Sequence, residues 1–143
     1  MTHKSIIQPY LWLEGRCEEA IEFYKRALGA EVQMLMRFNE NPEKKAGCSP
    51  PPGSENKIMH AQVRIGETVI MMGDARCSGQ PKFEGFSLSI AQPTAADVVK
   101  TFALLSEGGQ VQMPLDKTFF SEMFGMVVDK FGVFWMVMVT PSK

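Results

Sequence analysis

The sequence contains no run of about 18 apolar residues, so no segment reads as a membrane-spanning helix. Its opening residues, Met1-Thr2-His3-Lys4-Ser5-Ile6-Ile7-Gln8, lack the long apolar stretch of a signal peptide. The expected compartment is therefore the cytoplasm. Cysteine stops at three (Cys17, Cys48 and Cys77), an odd and widely spaced set with no C-x-x-C. That is no disulfide framework, and the thiols are expected to be free. Histidine is scarcer still, with only His3 and His60, and nothing in the spacing pairs either with a cysteine nucleophile. Excess positive charge is also missing. The net charge is −1 and the fifteen basic residues are scattered, which argues against a nucleic-acid partner. No Gly-rich turn follows the first strand, so there is no nucleotide-cofactor signature.

What is present is enough apolar residue for a core. The 143 residues are 45% hydrophobic and 22% charged, the balance of one ordered globular domain. The chain also repeats itself. Glu31-Val32-Gln33-Met34 is echoed by Gln110-Val111-Gln112-Met113 at an offset of 79 residues. At the same offset Phe102 falls on Phe23, Gly108 on Gly29, Ile90 on Leu11 and Ser87 on Gln8. A repeat of this length implies two copies of one supersecondary unit.

Hydrophobic period gives the elements. Residues 6–13 read as a strand, with Pro9 placing it at an edge or making it irregular. A helix follows: Glu18 and Glu19 sit in its first turn, Ala20, Phe23, Tyr24, Ala27 and Leu28 form its apolar face, and Gly29 is its stop. Residues 31–38 form a second strand. Residues 39–57, rich in Pro, Gly and Ser, read as a long mobile loop. Residues 58–66 alternate cleanly, with Met59, Ala61, Val63 and Ile65 on one face and His60, Gln62 and Arg64 on the other. Gly66-Glu67 turns the chain into a hairpin partner over 68–73, and 75–84 reads as a linker. The second copy predicts a strand at 85–91, a helix at 94–106 capped by Thr94, and strands at 110–114, 123–129 and 132–139. Module one is thus 1–75 and module two 84–143, each β-α-β-β-β. The fold class is α+β.

Several segments resemble the vicinal oxygen chelate superfamily, which holds glyoxalase I, bleomycin-resistance proteins and extradiol dioxygenases. They are Pro9-Tyr10-Leu11, Ala20 through Tyr24, Leu28 through Glu31, His60 through Gly66, Met71 through Ala75 and Asp129 through Met136. The match looks closest to the PhnB-like branch, also labelled 3-demethylubiquinone-9 3-methyltransferase-like, although no residue supports methyl transfer. The resemblance implies sheets curled around a cleft with helices outside, and association as a homodimer. In that arrangement Ile7, Leu11 and Leu13 pack under the first helix, while Gln8, Tyr10 and Trp12 face the cleft. In the last strand Phe134, Met136 and Met138 are assigned to the cleft rather than Trp135, Val137 and Val139.

The resemblance also implies where a metal would sit: one His, Gln or Glu on each of four strands. Here those positions are Gln8, Ser87, Met71 or Met72, and Met136 or Val137. Only Gln8 could ligate a hard cation, and its amide is the weakest of the ligand types; thioethers are soft. No metal site and no cofactor are therefore expected; His60 with Asp74 would supply only two ligands. The candidate ligand-binding residues are Gln8, Tyr10, Trp12, His60, Gln62, Arg64, Ser87, Phe134 and Met136. Phe119, Phe120 and Met138 are further candidates for an apolar lining. His60 and Arg64 read either as a polar pair for an oxygen-rich ligand or as an ion-paired strand face. No catalytic residue stands out among Asp116, Glu122 and Asp129, and Asp129 reads as part of a structural turn. The reading is a metal-free protein that binds a small, partly apolar molecule. A metal-dependent lyase, isomerase or dioxygenase, or a non-catalytic dimeric scaffold, are the alternatives.

Overall fold

The structure is a computed structural model that describes residues 4–41, 52–75 and 77–141. Within these residues the chain forms two compact units, Met1–Pro81 and Lys82–Lys143. The first holds β1 (Tyr10–Trp12), α1 (Cys17–Leu28), β2 (Glu31–Arg37), β3 (Ile58–Ile65) and β4 (Thr68–Gly73). The second holds β5 (Leu88–Gln92), α2 (Ala95–Leu105), β6 (Gln110–Asp116), β7 (Phe124–Val128) and β8 (Phe134–Val139). Each unit is β-α-β-β-β, and each builds one open, mixed four-stranded sheet. The orders are β1-β4-β3-β2 and β5-β8-β7-β6, with β1 parallel to β4 and β5 parallel to β8. The α+β class and the repeat are both evident.

The repeated Val-Gln-Met has a structural meaning. In the first sheet Val32 pairs with Val63 and Met34 with Gln62, so Gln33 has no opposite residue. In the second, Val111 pairs with Val127 and Met113 with Met126, which leaves Gln112 extra in the same way. Each motif is a β-bulge at the same place in its unit. The extra residue shifts the side-chain parity of the strand. Glu31 therefore shares a face with Met34, and its carboxylate meets Arg64 Nη2 at 2.7 Å.

Each helix packs on one face of its own sheet. α1 buries Ala20, Ile21, Phe23, Tyr24 and Ala27 and ends at Gly29 in the left-handed region (φ 66°), as its sequence predicts. α2 starts at Thr94, whose hydroxyl accepts from the Asp97 N–H at 3.1 Å. Beneath the helices lie Leu11, Leu13, Ala61, Val63 and Met72 in one unit, and Trp135, Val137 and Val139 in the other. The opposite face of each sheet is less covered.

Two expectations about the first unit fail. The first strand is shorter than residues 6–13: regular pairing begins at Tyr10, and Ile7 is 97% exposed instead of packing under α1. Pro9 supplies no N–H to a ladder, although its carbonyl still accepts from the Met71 N–H at 3.0 Å. The alternation in β3 also breaks at its start, where Ile58 is buried and Met59 only partly so. Arg37 pairs with Ile58 and Met36 with His60, so Met59 is the extra residue of a second bulge.

The ends of the 39–57 loop are pinned together. Phe38 and Asn39 donate their N–H groups to the carbonyls of Lys57 and Glu55, both at 3.0 Å. Arg37 donates to the Asn56 carbonyl at 2.8 Å and grips Glu18 of α1 through both guanidinium nitrogens, at 3.1 and 2.8 Å. This bidentate contact holds the Glu18 carboxyl below its ordinary pKa. The middle of the loop, including Cys48, lies outside the described residues.

Candidate functional site

The open face of the first sheet gathers five of the predicted residues. Tyr10 pairs with Met71 and Trp12 with Gly73, while Gln62 pairs with both Met71 and Met34, and His60 pairs with Met36. Partners directly opposite share a face, so these residues and Arg64 present one surface. Gln8 lies two residues before β1 and is half-buried.

The centre of that surface is an aromatic row. The Tyr10 and Trp12 rings lie 4.3 Å apart, and the Tyr10 and His60 rings 5.5 Å apart. Trp12 is 50% exposed. The Tyr10 hydroxyl reaches across β4 to β3, where it meets the Met59 carbonyl and His60 Nδ1, each at 3.3 Å. This crossing needs a glycine in β4. A Cβ on Gly73 would come within 2.5 Å of the Tyr10 hydroxyl and 2.7 Å of the Met59 carbonyl oxygen. Gly73→Ala is therefore expected to destabilise the protein by about 1–3 kcal/mol through overpacking. Adding Tyr10→Phe should restore only part of that loss, because the Met59 carbonyl still obstructs. Urea denaturation of the single and double variants measures this, and full restoration would contradict the arrangement.

Arg64 is found in the ion pair with Glu31, on an exposed part of the strand. Asp74 is not available as a second ligand beside His60. It is 1% exposed, with Oδ1 accepting from the N–H groups of Gly15 and Cys17 at 2.8 and 2.9 Å and Oδ2 from Ile58 N–H at 3.0 Å. Both oxygens serve the backbone. Sequence reasoning missed this role; the signal was that Arg16, at the start of α1, is a poor cap.

The second sheet presents a different surface. Phe134, Met136 and Met138 are half-exposed and alternate with buried Trp135, Val137 and Val139. One ladder row runs Met113, Met126, Met136, Ser89 across β6, β7, β8 and β5. Its counterpart in the first sheet runs Met34, Gln62, Met71, Tyr10. Ser87 lies just before β5, and its hydroxyl donates to Met136 Sδ at 3.1 Å. The Phe120 and Phe124 rings meet at a tilt with centres 5.1 Å apart beside this face, whereas Phe119 stands fully exposed in the loop after β6.

Among the described residues, no group of three or more His, Cys, Asp or Glu side chains could hold a metal ion. Cys17 and Cys77 are free thiols. Burial, reinforced by the charges of Asp74 and Glu18, raises the Cys17 pKa far out of the reactive range. Burial also raises that of Cys77. Among the described residues no helix is long and apolar enough to cross a membrane.

Comparison with known proteins agrees with this architecture. The chain is 37% identical over 142 residues to Protein YjdN of Escherichia coli strain K12, covering 96% of this chain and 97% of that protein. The crystal structure of PA1353 from Pseudomonas aeruginosa is similar at 35% identity and TM-score 0.82, covering 97% of this chain and all of the other. A PhnB protein from Bacillus cereus follows at 28% identity and TM-score 0.77, with 95% of this chain and all of the other covered. The sequence profile of one superfamily matches residues 7–137, nearly the whole of both units. The chain belongs to the Glyoxalase/Bleomycin resistance protein/Dioxygenase superfamily.

Proposed function

We propose that this protein binds a small, partly apolar ligand on its open sheet faces, without the metal site of its metal-dependent relatives. The observation that carries the reading is the row of Trp12, Tyr10 and His60 on a half-covered face beside Gln62. Aromatic rings with a few convergent polar groups are the usual lining of a ligand site. Gln8 and Arg64 complete the set proposed for this face; on the open face of the second sheet Ser87, Phe134 and Met136 are proposed likewise, where methionines supply an adaptable apolar surface. Of the donors at the superfamily's ligand positions only Gln8 suits a hard divalent cation, and one ligand does not hold it. Met71 and Met136 offer thioethers, and the Ser87 hydroxyl is spent on Met136 Sδ.

A panel of planar and aliphatic small molecules tested by thermal shift checks this reading. A ligand at a hundred times its Kd adds about 2.7 kcal/mol of stability. Trp12→Ala or His60→Ala is expected to abolish that gain. A stoichiometric divalent metal in protein purified without chelator would favour the metal-dependent alternative instead.

We further propose association as a homodimer in solution. Large apolar side chains left exposed on the described residues, among them Ile7, Trp12, Phe86 and Phe119, support it. Sedimentation equilibrium should give twice the 16.0 kDa chain mass; a monomer at every concentration would refute it.

A further inference from the structure

The hydrogen bonds around Tyr10 bear on which nitrogen of His60 carries the proton. A tyrosine hydroxyl has a single hydrogen to donate. Met59 is the bulged residue of β3, and the neighbouring Asp74 N–H goes to the Ile58 carbonyl rather than to that of Met59. The Met59 carbonyl takes the Tyr10 hydrogen at 3.3 Å. With that hydrogen committed, the contact between Tyr10 Oη and His60 Nδ1 needs a hydrogen on Nδ1. Neutral His60 then has a bare lone pair on Nε2. Among the described residues no hydrogen bond to Nε2 is found. Gly73 keeps the arrangement in place, since a side chain there would collide with both the hydroxyl and the carbonyl.

We propose that His60 Nε2 is a preset hydrogen-bond acceptor for the hydroxyl of a phenol-like ligand, a planar apolar body with one donor. This rests on the reading that the first open face binds a small molecule, and it names that molecule's chemistry. The Trp12 and Tyr10 rings supply the platform for the planar body, and Nε2 selects the donor. Because the acceptor is held ready, an ether of the same shape leaves Nε2 unpaired and loses affinity.

Two measurements test it. Long-range 1H–15N correlation spectra of the full chain, with His3→Gln removing the only other histidine, read the tautomer. Nδ1 is expected to carry the hydrogen near neutral pH, and Tyr10→Phe should release the ring to the Nε2–H form. A wild-type ring protonated at Nε2 would overturn the proposal. The second measurement is equilibrium dialysis with 2-naphthol and with 2-methoxynaphthalene. The naphthol is expected to bind about tenfold more tightly. His60→Phe, and to a lesser degree Tyr10→Phe, should erase the preference. Equal affinities overturn the acceptor role while leaving ligand binding intact. Binding of neither compound counts against the ligand reading itself, and the acceptor role falls with it even if the tautomer is as expected.

Discussion

Replacing Asp129 with alanine is expected to lower stability by about 3–5 kcal/mol, a large part of the total for a typical domain. The side chain is 2% exposed at the turn between β7 and β8. Its Oδ1 accepts from the N–H groups of Phe131 and Val133 at 2.9 and 3.1 Å, and its Oδ2 from the Trp135 indole N–H at 2.8 Å. Alanine leaves all three donors without this partner in a buried site, where an unmade hydrogen bond costs most. Asparagine should lie between, since one of its termini donates where an acceptor is needed. In a Trp12→Phe background Trp135 is the only indole, so its emission reports the site directly during urea unfolding. A shift below about 1 kcal/mol would show that the turn holds without the carboxylate.

The second large effect is expected at Asp74, in the other unit. Helix α1 starts at Cys17 with no side-chain cap of its own, because Arg16 makes none. The cap comes from the end of β4. Asp74 takes the N–H groups of Gly15 and Cys17 and also that of Ile58, where β3 begins. One carboxylate thus joins a helix start to two strand ends, and its charge suits the positive end of the helix dipole. Asp74→Ala is expected to cost about 3–5 kcal/mol, with asparagine losing less because one oxygen can still serve α1. Hydrogen exchange tells the two variants apart. Asp74→Ala should speed exchange at Gly15, Cys17 and Ile58, and Asp129→Ala at Phe131 and Val133. Unchanged protection of the α1 amides in Asp74→Ala would refute the capping role.

These two aspartates mark the limit of reading by pattern. Asp129 was legible as a turn residue because Asp-Lys-Phe-Gly resembles the turn that precedes the last strand in the superfamily. That its second oxygen holds the Trp135 indole was not, since a side-chain bond six residues away depends on how the turn folds back. Asp74 looked like a spare ligand near His60. Its true partners lie 57 and 16 residues away at Cys17 and Ile58, and no local rule reaches them. Ile7 misled for the converse reason: its alternation with Leu11 and Leu13 is real, but pairing stops before it, and its side chain is left in solvent.

Sequence alone determined the duplication, the order of elements and the buried face of β3 beyond its first two residues. Those follow from period and local caps: Gly29 must end α1, Thr94 starts α2, and Ala61, Val63 and Ile65 alternate with the polar Gln62 and Arg64. Tertiary structure alone decided the chemistry of the first open face. Met59 is bulged, Gly73 clears the path, and Tyr10 crosses β4 to reach the Met59 carbonyl and His60. Bulges are set by register between strands far apart in the chain. The same holds for the repeated Val-Gln-Met, which is visible as a repeat in the sequence and as a matched pair of bulges only once the strands are paired.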